Sequence, residues 1–301
     1  MNKIGIFMNF WEKNWNADHR KYIKKVADLG YDILEFQAQP LLEMTDEKIR
    51  FLKSLADDVG IELTYSLGLD PHYDVSSLDE TVRQRGVEYL QNILRKIRVG
   101  GGRLLSGVSY AGWGTPGVII DNKEQYIEQS VKSMREIIKT AEECDITYCV
   151  EAVNRFETCI INTAWEALDY VARVDSPNIG ILLDTYHMNI EETSIGDAIR
   201  MVGSEHLRNF HTGENNRTAP GRGHLDWDEI FGALADIGYA GPIISEPFVL
   251  QGGEVGRDIH VFRDLIDNPS EERIDQEAAY LLHFEKAMLS KHAAKDVKKD
   301  E

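Results

Sequence analysis

The chain has 301 residues, 43% of them hydrophobic, enough for one large α/β core or two smaller ones. Its 51 acidic residues outnumber 33 basic ones for a formal charge of -18, which repels a phosphate backbone and argues against nucleic acid as a partner. No apolar run approaches the roughly 18 residues of a membrane span, and Cys144, Cys149 and Cys159 form neither a CxxC pair nor a disulfide framework, so a reducing cytoplasm without membrane attachment is expected.

In chain order, short apolar runs alternate with longer amphipathic ones, the pattern of βα units. The opening MNKIGIFMNFW is expected to pass from one lysine into a strand, KIGIFMN (3–9), rather than into a secretory leader. DHRKYIKKVADLG then repeats apolar residues at Tyr22, Ile23, Val26, Ala27 and Leu29 and stops at Gly30, as a helix does. The alternation continues with a strand at DILEFQ (32–37), a helix in MTDEKIRFLKSLADDVG, a strand at ELTYSL (62–67) and a helix from Leu78 to Val99. RLLSGV (103–108) precedes a helix from Lys123 to Cys144, and TYCVEA (147–152) one from Ala164 to Val174. Strands at IGILLD (179–184) and LRNFHT (207–212) follow, then a helix from Asp226 to Ile237 whose Asp226 and Glu229 have capping-box spacing. PIISEP (242–247) is the eighth strand. After Val261 a last barrel helix and a C-terminal helix, Ser270 to Ser290, are expected. Eight such units without an internal linker predict one α/β domain over residues 1–292, a single (β/α)8 TIM barrel with an extra C-terminal helix, and a charged tail at 293–301. A doubly wound sheet fits less well, because its Gly-rich phosphate fingerprint is missing after the first strand.

In a barrel of this type chemistry sits at the C-terminal ends of the strands. The last four strands deliver Glu151, Asp184, His211 and Glu246 to that rim, one each. A lone acid at a strand end is usually a solvated loop residue. Three carboxylates and an imidazole on four consecutive strands are instead a donor set for one divalent ion, with oxygen-rich chemistry that suits Mn2+, Co2+ or Mg2+ better than a thiolate-type zinc site.

The segments EAVNRFET (151–158), LLDTYHMNIEETSIGDAIR (182–200), NFHTGENNRTAPGRGHLDW (209–227) and SEPFVLQGGEVG (245–256) closely resemble the ketose 3-epimerases, the family of D-tagatose and D-allulose (D-psicose) 3-epimerases within the xylose isomerase-like barrels. The likeness extends to GIFMNFWEKNW at the N-terminus and covers essentially the whole barrel, with NRFE, DTYHMNIEE and HTGENNR its most specific pieces. It implies one Mn2+ or Co2+ held by Glu151, Asp184, His211 and Glu246. It also implies a free ketose contacted around O1 to O3 by Glu157, His187 and Arg217, walls built from Phe7, Trp15, Trp113 and Phe248, and assembly as a homodimer or homotetramer. Two loops, TYSLGLDPHYDVSS (64–77) and SGVSYAGWGTPGVII (106–120), are expected to face the far end of the sugar. The first is similar to the tagatose-type enzymes, so the preferred ketose stays open.

The implied reaction removes a proton α to the C2 carbonyl and returns it to the other face, through a cis-enediolate that a Lewis-acidic ion would stabilise. Glu151 and Glu246, three strands apart, are expected to be both ligands and acid/base groups on opposite faces, with His187 donating to O2 and Arg217 adding fixed positive charge. Glu191 and Glu192 come too late to reach the metal and are expected to charge the start of the next helix. Other enolate chemistry on the same barrel is the alternative: inosose dehydration, hydroxypyruvate isomerisation or β-elimination from oxidised C-glycosides. An endonuclease IV-type site would need histidines after strands three and four, where TYSLG and LLSGV have none. A non-catalytic sugar binder would have no use for paired glutamates.

Overall fold

In the computed structural model, which describes residues 2–114 and 122–296, eight parallel strands close into a barrel in sequence order, with the first hydrogen-bonded to the eighth. They are Ile4–Phe7 (β1), Ile33–Gln37 (β2), Glu62–Ser66 (β3), Leu104–Ser106 (β4), Thr147–Ala152 (β5), Ile179–Asp184 (β6), Leu207–Thr212 (β7) and Ile243–Ser245 (β8). A parallel sheet covered on both faces needs near-continuous apolar strands, and these runs supply them. Around the barrel lie His19–Leu29 (α1), Asp46–Val59 (α2), Glu80–Val99 (α3), Lys123–Cys144 (α4), Ala164–Val174 (α5), Thr185–Glu191 (α6), Ile195–His206 (α7), Trp227–Asp236 (α8), Gly253–Asp258 (α9) and Glu271–Asp296 (α10). Asp18, Thr45, Asp79 and Thr163 cap α1, α2, α3 and α5 by accepting from first-turn N–H groups.

Several local expectations are corrected. No helix forms at residues 261–270; the segment after β8 makes the short α9 instead, and α10 packs between α8 and α1 to close the outer ring. α10 also runs six residues past Ser290, while 297–301 of the expected tail and 115–121 of the fourth strand's exit lie outside the described residues. Only half of the expected capping box at α8 forms. Asp226 accepts from the Glu229 N–H, but the Glu229 carboxylate turns to Ser194 and Arg200. Glu192 does charge a helix start, though that of α5, where it accepts from the Ala164 N–H at 2.7 Å; Glu191 instead grips Arg155.

Candidate active site

The rim residues are placed by register. Asp184 ends β6 and pairs directly with His211 on β7, so the two side chains stand side by side. That pairing depends on a register shift between Ile181, opposite Leu207, and Leu182, opposite Asn209, which skips Arg208. In an unshifted ladder Phe210 would stand beside Asp184, and the imidazole would face the helical layer. Glu151 projects from β5, and Glu246 follows β8, where its N–H still bonds to the Thr212 carbonyl.

All four are buried, Asp184 and His211 almost completely. Together with His187 they fall into two overlapping groups whose ligand atoms lie within 4.8 Å of one another: Asp184 with His211 and Glu246, and Asp184 with Glu151 and His187. Glu151 Oε1 and His211 Nδ1 find no hydrogen-bond partner among the described residues, a costly condition for buried polar atoms unless something else satisfies them. Burial, then the charge of Glu246, raises the Glu151 pKa well above the usual carboxylate range and pushes Asp184 up to about 6. Burial alone would lower the His211 pKa, but Glu35 and Glu246 outweigh it and raise it well above the ordinary value. Repelling carboxylates, orphaned donor atoms and an oxygen-rich set with one imidazole fit a bound divalent cation, which would relieve all three penalties at once.

His187 has a different part. The segment after Asp184 is not a loop but α6, capped by Asp184 itself, whose Oδ1 accepts from the Tyr186 N–H at 2.8 Å. One turn on, His187 Nδ1 accepts from the Asn154 backbone N–H at 3.2 Å, with the Asn154 side-chain amide at 2.9 Å. Burial, then the charges of Arg217 and His211, holds the His187 pKa well below its ordinary value. The ring is therefore neutral, with its proton on Nε2. That N–H lies 3.6 Å from Glu151 Oε1 and its nitrogen 3.2 Å from Arg217 Nη2, and both groups line the same pocket. A guanidinium so close disfavours a metal ion at the same nitrogen.

Arg217 is held between the rings of Tyr186 and Phe248, 4.4 and 4.9 Å from their centroids, with Nη2 3.9 Å from Glu246 Oε2. Glu151, His187, Arg217 and Glu246 thus all line one pocket. Phe7, Trp15, Trp113 and Phe248 line it, with Trp15 edge-on to both Trp113 and Phe248. Both loops expected at the far end reach it, through Ser66, Leu67 and Gly68 on one side and Gly107, Val108 and Trp113 on the other. Gly68 is required by that packing, since a Cβ there would lie 2.9 Å from the Trp113 ring. Glu157 accepts from Trp113 Nε1 at 2.6 Å and its charge acts on Arg217, so it ties the aromatic wall to the cationic side of the pocket.

Three residues around the site escaped sequence reasoning. Glu35 on β2 approaches His211 Nε2 at 3.0 Å, Asn154 sets the His187 tautomer, and Glu214 gathers the β7–α8 loop through Trp227 Nε1 and the Gly221 N–H. Asn154 and Glu214 sat inside NRFE and HTGENNR, so the signal was present without a role. For Glu35 the signal was an acid inside an otherwise apolar strand.

Over residues 23–282 the sequence matches the xylose isomerase-like TIM barrel family. It is 44% identical to a D-psicose 3-epimerase of Ruminiclostridium cellulolyticum, covering 96% of this chain and 99% of that one. It is 38% identical to a D-psicose 3-epimerase of Agrobacterium fabrum, covering 95% and 99%. The crystal structure of D-psicose 3-epimerase with D-tagatose from Clostridium cellulolyticum H10 superposes with a TM-score of 0.93 at 44% identity, covering 95% of this chain and 99% of that one.

Proposed function

The chain belongs to the xylose isomerase-like TIM barrel family and, within it, to the ketose 3-epimerases, and on that premise we propose that it epimerises free ketohexoses at C3, interconverting D-fructose with D-allulose or D-tagatose with D-sorbose. The observation that carries this reading is the pair of buried glutamates from strands three apart, facing one pocket together with the His187–Arg217 donor pair. Inverting C3 requires a proton to leave on one face and return on the other, so Glu151 and Glu246 each serve one face, exchanging roles as acid and base with the handedness of the substrate.

Glu151, Asp184, His211 and Glu246 would hold one Mn2+ or Co2+ ion, with Mg2+ also compatible. Bound there, the ion supplies Lewis-acid stabilisation of negative charge on the sugar. His187 Nε2–H and the Arg217 guanidinium direct donors at the oxygen next to the reacting carbon, in a setting dry enough for both to count. Phe7, Trp15, Trp113 and Phe248 exclude water and offer aromatic faces to the apolar side of the sugar, and Glu157, held by Trp113 Nε1, accepts from a sugar hydroxyl.

Among the described lining residues Arg217 is the single cation, and it already faces Glu246, which favours a free sugar over a phosphorylated one. The names of the relatives favour the D-fructose/D-allulose pair. The same reading includes a cytoplasmic homodimer or homotetramer without membrane or nucleic-acid partners; the formal charge of -18 disfavours a phosphate backbone, and no described helix is long and apolar enough to cross a membrane.

The test is to strip the protein with a chelator, reload it with Mn2+ and incubate it with D-fructose, and separately D-tagatose, in D2O while following C3 by NMR. Deuterium at C3 with allulose or sorbose appearing is the expected result. A dehydrated product would move the assignment to lyase chemistry. Absence of exchange from either sugar, in protein shown to bind Mn2+, would overturn the epimerase reading.

A further inference from the structure

We propose that Glu35 is a positioning residue that fixes which nitrogen of His211 faces the metal. This inference rests on the metal-site reading above and deepens it. Glu35 lies on β2 and is fully buried in the barrel interior. Its Oε2 accepts from Thr64 Oγ1 at 2.9 Å, which pins the carboxylate to β3. Its Oε1 lies 3.0 Å from His211 Nε2, on the far side of the imidazole from the acidic cluster. Oε1 has no fully formed hydrogen bond among the described residues, so the His211 ring nitrogen at 3.0 Å is its nearest polar neighbour of opposite character.

Two neighbours compete for the state of Nε2. The Asn209 side-chain nitrogen is 3.2 Å away and would want an acceptor there, whereas Glu35 needs a donor. Asn209 already donates to Ser106 Oγ at 2.9 Å, so it is partly satisfied either way. A buried carboxylate oxygen facing a lone pair would have nothing, and an uncompensated buried charge is the costlier outcome. When Nδ1 faces a metal ion, the one remaining ring proton therefore sits on Nε2. The lone pair then belongs to Nδ1, the orphaned atom that lies 3.7 Å from Glu246 Oε1. A carboxylate behind a ligating imidazole fixes its tautomer and ring orientation and raises its basicity. Here it does so from across the barrel, from a strand that contributes none of the four expected ligands.

The experiment uses the full chain, stripped and titrated with Mn2+ in competition with a chelating dye, and a parallel Co2+-loaded sample observed by NMR. Wild type is expected to bind one ion and to show, with Co2+, a strongly shifted imidazole N–H resonance that disappears in D2O. Glu35→Gln preserves shape and an acceptor but loses the charge; it should weaken Mn2+ binding roughly 10- to 100-fold and move that resonance. Thr64→Val, which touches only the support, should shift the resonance in the same direction by less. Circular dichroism of the metal-free variants checks that each is folded. Wild-type affinity in Glu35→Gln together with an unmoved resonance would overturn the role assigned to Glu35 alone. Wild type that binds no ion would overturn the metal reading itself and this inference with it.

Discussion

A carboxyl group behind the site gives a clear pH signature. Glu285 on α10 is fully buried; its Oε1 accepts from the hydroxyls of Thr212 and Ser245, the neighbours in sequence of His211 and Glu246, while Oε2 has no partner among the described residues. Burial pushes its pKa up to about 8, against the opposing effect of the two hydroxyls. Because the folded value lies above the ordinary 4.5, the folded chain keeps a proton that the unfolded chain has lost between those two values. Its contribution to stability is therefore greatest below about pH 4.5 and declines as pH rises towards about 8. Glu285→Gln removes that titration, so the difference in Tm between about pH 5 and about pH 8 should shrink relative to wild type. An unchanged difference would mean that Glu285 titrates alike in both states. Arg217 shows a second kind of residue-level constraint. It adopts φ 61°, a left-handed conformation that costs a non-glycine residue about 1–3 kcal/mol. It is held there by its N–H on the Glu214 carbonyl and by its own carbonyl accepting from Phe248. Its place in HTGENNR pointed to the sugar, but nothing in the motif announced that Glu214 would be the hub beneath it.

Among elements, the decisive ones are the short pieces between strands. α6 turns DTYH from two isolated side chains into a capped helical turn, which is why Asp184 and His187 stand at a fixed separation. α9 is clamped to the loop after β1: the Val255 N–H bonds to the Lys13 carbonyl, Glu254 accepts from the Trp15 N–H, and Trp15 Nε1 donates to Asp258 at 2.9 Å. Together they hold Trp15 and Ile259 against the pocket. Gly253 permits that approach; it has φ 68°, and a Cβ would lie 2.1 Å from the Lys13 carbonyl oxygen. Gly253→Ala should therefore push α9 off the loop and loosen the wall. KM for the ketose is expected to rise roughly tenfold with kcat little changed, the pattern of binding lost equally in ground and transition states. Steady-state kinetics on the preferred sugar decides it, and an unaltered KM would show that the clamp does not shape the pocket. The last barrel helix was misplaced in the sequence reading for a related reason. Its apolar signal after Val261 is weak, and the ring position it would have filled is taken by α10, which brings a longer apolar face from further along the chain.

For the whole molecule, the buried acidic cluster couples site and stability. Repelling carboxylates and two orphaned polar atoms are penalties of the metal-free folded chain. An ion that binds only the folded state should raise stability by about 2.7 kcal/mol at a hundredfold excess over its Kd. For a domain of this size that is a rise in Tm of several degrees, reversed by a chelator. Calorimetry with and without Mn2+ measures it, and a Tm indifferent to saturating Mn2+ would mean that the folded cluster binds no ion. The barrel itself was legible in the amino-acid order, because periodicity and caps are local: β5, β6, β7, α4 and α5 begin and end where the sequence reading put them. The four rim residues were legible for the same reason, as polar ends to apolar runs. What only the tertiary structure decided is how distant strands face one another. The skipped residue in β7 that brings His211 beside Asp184, the reach of Glu35 across the barrel to His211, and the closing of the ring by α10 all arise when the sheet closes. Side-chain order along one strand says which way a residue points relative to its neighbours, but not which residue it meets on another strand.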